Sequence, residues 1–392
     1  MNEDATHAKG LTMNGDEPIY LDFNATTPVD PDVVEAMQPF FCAHFGNPSS
    51  GHVFGLRAKN AVDRAREEVA ALLNADAEEI FFTSGGTEAN NITILGTACA
   101  NEVKGRMLHS AIEHPSVTNP CRFLTLKGWA IQTLPVDEQG IVSLAAAENA
   151  LDAGIALLSV MHANNETGSL QPIRELTRLA HAKGIMTHCD AAQSIAKLPI
   201  DVKELGIDAL SLAGHKMYAP KGIGALYISK GAPIAPINFG GGQERGIRPG
   251  TENVALIVGL GKACALAAGR QAEDAKRLWN LKDRLWSRLL SGVPGLSLNG
   301  SLKKSLPNTL NVSFPAVAGN ILLNAAPAIA ASTGSACHDG KEAPSSVLTA
   351  MGLCRDRALG AVRLTLGRTT TEKDIDAAAN ALVKAWRQLA GS

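Results

Sequence analysis

Glu79-Ile80-Phe81-Phe82-Thr83-Ser84-Gly85-Gly86-Thr87-Glu88-Ala89-Asn90 is the stretch from which the fold can be read. An apolar run with β-favouring residues enters a glycine pair, and a helical pattern opens directly after it. Glycines ahead of a helix let backbone N–H groups approach an anion, and the helix dipole favours negative charge there. Thr87 adds a hydroxyl donor. Taken alone, the stretch is either a phosphate cup or simply a glycine turn entering a helix.

The same strand-then-helix unit recurs along the chain. Buried strands are expected at 154–160, 184–188, 208–212 and 224–228. A helix is expected at 54–73, where Val62, Val69, Leu72 and Leu73 share one face and Arg64, Arg66, Glu67 and Glu68 mostly face water. This alternation predicts an α/β fold with a mainly parallel sheet covered on both faces. Past Thr251 the pattern changes to a long helix at about 252–291, a strand at 308–314, a helix near 319–326, a glycine-containing loop at 333–340, a strand at 362–366 and a final amphipathic helix at 372–389. A second, smaller α+β domain is expected there. We place the large domain at 18–258, its first residues to about 30 able to pack with the small domain, and the small domain at 259–392. Residues 1–17 are polar and are expected to form a flexible N-terminal arm.

Composition narrows the function classes. A formal charge of −2 argues against a dedicated nucleic-acid binder, which carries a basic surface. No run approaches the ~18 consecutive apolar residues of a membrane span, and residues 1–10 lack the apolar core of a signal peptide. The seven cysteines are scattered, with no C-x-x-C pair, which suits free thiols in a reducing cytoplasm rather than a disulfide framework. No metal site is expected. Gly259-Leu260-Gly261-Lys262-Ala263 lacks the spacing and the hydroxyl of a Walker motif.

Two further motifs sit beside expected strand ends. In Thr187-His188-Cys189-Asp190-Ala191-Ala192-Gln193, Asp190 lies where ligands bind in open α/β sheets. It is placed either to hold a protonated ring nitrogen or to cap a helix. In Leu212-Ala213-Gly214-His215-Lys216, the lysine is either a Schiff-base nucleophile freed by desolvation or a solvated surface residue. A phosphate cup, a ring-nitrogen carboxylate and a lysine, in that order on successive strands, together form the set that pyridoxal 5'-phosphate needs.

With these motifs, from about Tyr20 to the last helix, the chain resembles the pyridoxal-phosphate cysteine desulfurases, group I, of the class V aminotransferase superfamily, fold type I. The resemblance includes Leu21-Asp22-Phe23-Asn24-Ala25-Thr26-Thr27-Pro28, Glu113-His114-Pro115-Ser116-Val117, His162-Ala163-Asn164-Asn165-Glu166-Thr167-Gly168, Gly240-Gly241-Gly242-Gln243-Glu244-Arg245 and Arg248-Pro249-Gly250-Thr251-Glu252-Asn253. It implies that Lys216 is the Schiff-base lysine, that Asp190 pairs with the pyridine nitrogen and that Gln193 contacts the phenolic oxygen. It implies that His114 stacks on the ring and shuttles protons, and that Asn165 and Asn24 contact substrate, Asn165 also orienting the ring. Gly86, Thr87, Ser211 and His215 would lie on or near the phosphate. Thr251 would reach the phosphate of a neighbouring subunit, which implies a homodimer. Arg363 would clamp the substrate carboxylate.

Cys337, in Ser332-Thr333-Gly334-Ser335-Ala336-Cys337-His338, would take the sulfur of L-cysteine as a persulfide. The implied products are L-alanine and a sulfur passed to a partner such as an iron–sulfur scaffold or a tRNA-thiolation protein. His162 is expected to be structural. Two departures stand out. Ala213 replaces a hydroxyl residue found at that position in many group I enzymes, and Cys337 is followed by His338-Asp339-Gly340-Lys341-Glu342. The Cys-His pair resembles selenocysteine lyases in part, so selenocysteine remains an alternative substrate. A thiol-independent pyridoxal-phosphate aminotransferase or lyase remains an alternative activity.

Overall fold

A computed structural model describes residues 17–101, 104–333 and 343–391. Helix α1 spans Val53–Leu73 and is capped at its start by His52, whose ring nitrogen accepts from the Gly55 N–H. It ends at Asn74, which adopts the left-handed conformation that terminates helices. Of its expected apolar stripe, Val62, Val69 and Leu73 are buried. The opening stretch of the sequence does form a strand and a helix: β1 at Ile80–Thr83 and α2 at Gly86–Ala100.

Six more strands follow in the same sheet: β2 (Arg106–Ser110), β3 (Ala130–Leu134), β4 (Ile155–Ser159), β5 (Met186–Asp190), β6 (Ala209–Ala213) and β7 (Gly224–Ile228). Their spatial order is β1-β7-β6-β5-β4-β2-β3. Neighbours are parallel except β7, which runs antiparallel to both β1 and β6. The sheet is therefore mainly parallel, as the alternation predicts. Successive residues of β1 face opposite layers. Ile80 and Phe82 join a core with Val62 and Val69 of α1. Phe81 joins the opposite core with Ile92 of α2 and Val117 and Leu124 of α3, which spans Pro115–Leu126.

Helix α4 runs over Val254–Gly292. Among the described residues it alone is long and apolar enough to cross a membrane, yet half of its most apolar window is buried in the protein. Its first half packs Ile257, Leu260 and Ala263 into the core under the large sheet, and its second half packs Leu281, Leu285 and Leu289 into a separate core. That second core is built on a three-stranded antiparallel sheet of β8 (Ser297–Leu298), β9 (Thr309–Ser313) and β10 (Ala361–Thr365), with β9 in the middle. Helix α5 (Glu372–Ala390) covers it through Ile375 and Leu382. The N-terminal residues Ile19 and Tyr20 pair with Ile329 and Ala330, and Leu21 is buried in this second core.

The antiparallel β7 reverses direction twice across the sheet, so β1, β5 and β6 end at one edge. At that edge Gly224 lies so close to Gly85 that a Cβ on it would sit 2.7 Å from the Gly85 Cα, and Gly85 itself has φ of +151°. Both positions need glycine, and the turn into α2 is fixed as a result.

Candidate functional site

The carboxyl ends of the strands frame a cleft of about 300 Å³. Ten of the thirteen expected site residues line it: Asn24, Gly86, Thr87, His114, Asn165, Asp190, Gln193, His215, Lys216 and Arg363. They come from seven separate chain segments, joined only by the sheet order. Three do not line it. Ser211 is fully buried below the cleft, two residues down β6 from Ala213, and its hydroxyl is bonded to His188 Nε2 at 3.0 Å. The hydroxyl expected near a phosphate is therefore committed within the sheet. Thr251 is exposed and away from this chain's cleft. Cys337 lies outside the described residues, as does His338.

At one wall, α2 points its N-terminus into the cleft through Gly86 and Thr87. The first N–H groups of a helix have no acceptor within it, and they carry the positive end of its dipole. Nearby, Asp190 ends β5. Its Oδ1 accepts from the Ala192 N–H at 3.0 Å and its Oδ2 from Asn90 Nδ2 at 2.8 Å.

Lys216 follows β6 in a single 3₁₀ turn. Its Nζ donates to the carbonyls of Asn24 at 2.6 Å and Ala25 at 2.7 Å. Burial and then the Arg363 charge push its ammonium down to about 8, against the pull of Asp22 and Asp190. Its neighbour His215 is held down to about 4, mainly by burial. Burial also lowers the His114 imidazole, opposed by Asp190 and reinforced by Lys216. His162 is buried, hydrogen-bonded to Ser194 and pushed down to about 4 by desolvation.

Arg363 is nearly inaccessible on β10, reaching the cleft from the second core. One terminal nitrogen pairs with Asp22 at 2.7 Å and the other donates to the Asn165 carbonyl at 3.2 Å. Its Nε is buried with no partner among the described residues. Gln193 donates to the Asn24 carbonyl at 3.0 Å and accepts at Oε1 from Lys197 at 3.1 Å.

Four residues at this site escaped the sequence reading of single roles: Asn90, Ser116, Lys197 and Asp22. Asn90, Ser116 and Asp22 lie inside quoted motifs, but nothing local marks them. Lys197 sits four residues after Gln193, and its partners are Gln193 and Asn24 Oδ1. Its ammonium falls well below the ordinary lysine range, through burial first and then through Lys216 and Arg363.

The donor set suits a phosphorylated pyridine carrying an aldehyde. Unpaired helix N–H groups meet an anion, a carboxylate meets a ring N–H, and a lysine held down to about 8 supplies a free amine near neutral pH.

Residues 19–378 match the model of the family described as Aminotransferase class-V, so the chain belongs to that family. The family is pyridoxal-phosphate dependent. Within it the chain groups with the cysteine desulfurases. It is 46% identical over 375 residues to a cysteine desulfurase, IscS, of Clostridium botulinum, a match covering 94% of each chain. A solved NifS-like protein superimposes with a TM-score of 0.88 at 38% identity, covering 94% of this chain and 98% of that one. The solved structure of SspA in complex with cysteine gives a TM-score of 0.78 at 38% identity, covering 88% and 98%.

Proposed function

We propose that this desulfurase, loaded with pyridoxal 5'-phosphate, converts L-cysteine to L-alanine and moves the sulfur onto Cys337 as a persulfide. The observation that carries the reading is the convergence of the Lys216 amine, Asp190 and Arg363 in one cleft. When bound, the cofactor supplies an electron-withdrawing ring that eases loss of the substrate's Cα proton.

This chain's residues provide the rest. The N–H groups of Gly86 and Thr87 would hold the phosphate, and Asp190 would keep the ring nitrogen protonated. Gln193 would contact the phenolic oxygen, and Asn165 would orient the ring. The Arg363 guanidinium, with its Nε unpaired, takes the substrate carboxylate. Lys216, about a tenth neutral at pH 7 for a pKa of about 8, removes the Cα proton. The Cys337 thiolate bonds to the substrate sulfur, the carbon–sulfur bond breaks, and the carbon takes a proton. One cysteine and one thiol thus become one alanine and one persulfide. The persulfide sulfur passes to an acceptor protein, an iron–sulfur scaffold or a tRNA-thiolation protein.

We also propose a homodimer with Thr251 entering the partner's phosphate cup. An exposed apolar surface of Phe41, Phe45, Val53, Phe54 and Leu56 supports it, with the Phe45 and Phe54 rings stacked 5.6 Å apart. A reducing cytoplasm suits the six described cysteines, all of them free thiols.

Purified protein with added cysteine and a reductant is expected to release alanine and sulfide in equal amounts. Cys337→Ser should keep the cofactor's absorbance and lose sulfide release. Undiminished desulfuration in that variant refutes the role of Cys337. Selenide release from selenocysteine, with cysteine untouched, reassigns the enzyme as a selenocysteine lyase.

A further inference from the structure

The two ring nitrogens of His114 stand in different surroundings, and the groups around Nδ1 settle where its proton sits. A backbone N–H can only donate, and that of Ser116 lies 3.1 Å from His114 Nδ1. Nδ1 therefore presents a lone pair. The Ser116 hydroxyl is also close, with Oγ 2.7 Å from the same nitrogen.

The direction of that second bond follows from groups further back. A carboxylate only accepts, and Asp190 Oδ2 takes a hydrogen from Asn90 Nδ2 at 2.8 Å. The other hydrogen of the same Nδ2 reaches Ser116 Oγ, also at 2.8 Å. Flipping the Asn90 amide would set its oxygen against the Asp190 carboxylate. The orientation holds even though it leaves Asn90 Oδ1 buried with no partner. Having accepted from Asn90, the Ser116 hydroxyl is left to donate to His114 Nδ1.

We propose that Asp190, Asn90 and Ser116 form a hydrogen-bond relay of fixed polarity, Asn90 donating both to Asp190 and to Ser116 and Ser116 donating on to His114, that holds neutral His114 with its proton on Nε2. Asn90 and Ser116 are then positioning residues for the reaction, and although both lie inside quoted motifs, neither was given a role there. The inference rests on the proposed role of His114 beside the reacting groups. It deepens that role, because an imidazole receiving two donors at Nδ1 cannot take up a proton there. His114 presents a hydrogen at Nε2 and serves as a donor, while proton removal from Cα falls to Lys216. Among the described residues, Nε2 makes no protein hydrogen bond, so that hydrogen is available to a ligand. The relay also ties the His114 tautomer to the carboxylate that meets the ring nitrogen. Both ends of the cofactor ring's proton inventory therefore share one chain of bonds.

The test is a nitrogen-15 spectrum of the full-length protein with labelled histidine, recorded with and without pyridoxal phosphate. His114 is assigned by its loss in His114→Gln. The expected result is a protonated Nε2 and a bare Nδ1 at neutral pH. Ser116→Ala removes the hydroxyl donor and leaves the backbone one. It should bring a detectable share of Nδ1-protonated ring and lower kcat about 10-fold with KM little changed, less than the ~10²–10⁴-fold that a positioned acid–base group contributes, because the backbone donor still favours the working tautomer. Ser116→Thr keeps a hydroxyl and should restore both. A wild-type His114 protonated at Nδ1 overturns the relay. So does a Ser116→Ala spectrum identical to wild type in a variant with wild-type circular dichroism and melting temperature. The expected spectra combined with no sulfide release from cysteine uphold the relay and count against the proposed function instead.

Discussion

The reactivity of Lys216 without its cofactor follows from the balance of forces on one ammonium. Two carbonyls, at 2.6 and 2.7 Å, accept from Nζ and favour its charged form. Asp22 and Asp190 pull the same way, while burial and then Arg363 oppose them and prevail, bringing the group down to about 8. A free lysine titrates near ~10.4, so at pH 7 about 0.04% of it is neutral, against about 9% for a group at 8. At pH 7 Lys216 should therefore present about 200-fold more neutral amine than a free lysine, and react with an amine reagent faster than a lysine of equal access. The assay is trace acetylation of cofactor-free protein across pH, with N-acetyl-lysine in the same tube as standard and mass spectrometry of the Lys216 peptide as readout. Labelling is expected to reach half its limit near pH 8. Arg363→Met removes the second cause and leaves Asp22 unpaired, so the midpoint should rise. Asp190→Asn removes an opposing charge, so it should fall. A wild-type midpoint at the ordinary lysine value, or Arg363→Met moving the midpoint down, would refute this account.

Two further predictions concern stability. Glu244 is nearly inaccessible, holds Arg66 with both oxygens at 2.7 and 2.8 Å, and accepts from the Phe82 N–H. Glu244→Ala leaves a half-buried guanidinium without its carboxylate, held only by the Ile80 carbonyl and the Phe82 ring, and an edge N–H unpaired, and should cost about 3 kcal/mol in urea unfolding; a loss below about 1 kcal/mol contradicts the clamp. Glu113 is buried, its Oε1 accepting from Ser110 and Met161 N–H and its Oε2 unpaired, and burial pushes its carboxyl up to about 8. A carboxyl raised by folding stabilises below its unfolded value near ~4.5, and that contribution is lost as pH climbs to about 8. Glu113→Gln should remove a slope of up to about 1.4 kcal/mol per pH unit between pH 5 and 8, seen as a difference between the variant and wild-type denaturation midpoints that grows in the variant's favour as pH rises across that window, the titration of the buried histidines being common to both. Parallel pH dependence in the two proteins would show that Glu113 is ionised throughout.

Strands such as 154–160 and 224–228 were legible because residues buried on both faces make near-continuous apolar runs. β2 and β3 were not. Arg106 and His109 interrupt the one, and the other is an edge strand with mostly accessible side chains. The reversed direction of β7 has no local signature, since pairing partners are chosen across the sheet. The site was legible where one segment carries the chemistry, as at Asp190, Lys216 and Gly86. Ser211 shows the limit of that reading. Alternation puts its side chain on the same face as Ala213, but the two-residue offset puts it deeper, where His188 takes its hydroxyl. Besides their near neighbours, Asn90 binds partners 26 and 100 residues away and Lys197 one 173 residues away, and no spacing rule reaches that far.

Asn24 explains why the cleft is held so tightly between the two cores. Its backbone N–H donates to Thr365, and its amide nitrogen donates to Thr309 Oγ1 and the Asn165 carbonyl. Its amide oxygen accepts from Lys197 and Asn308, and its carbonyl from Gln193 and Lys216. Thr309 and Thr365 belong to the small sheet, while Gln193, Lys197 and Lys216 border the large one. A shift between the cores would therefore strain bonds to a fully buried residue, and each broken one leaves a polar atom without water. Under the proposed function the Lys216 amine would release both of its carbonyls on joining the cofactor. Gln193, itself steadied by Lys197, still donates to the buried Asn24 carbonyl, and the Ala25 carbonyl lies where water can replace the lysine. The lysine can thus leave without orphaning its buried acceptor, which is the property a group that must alternate between partners requires.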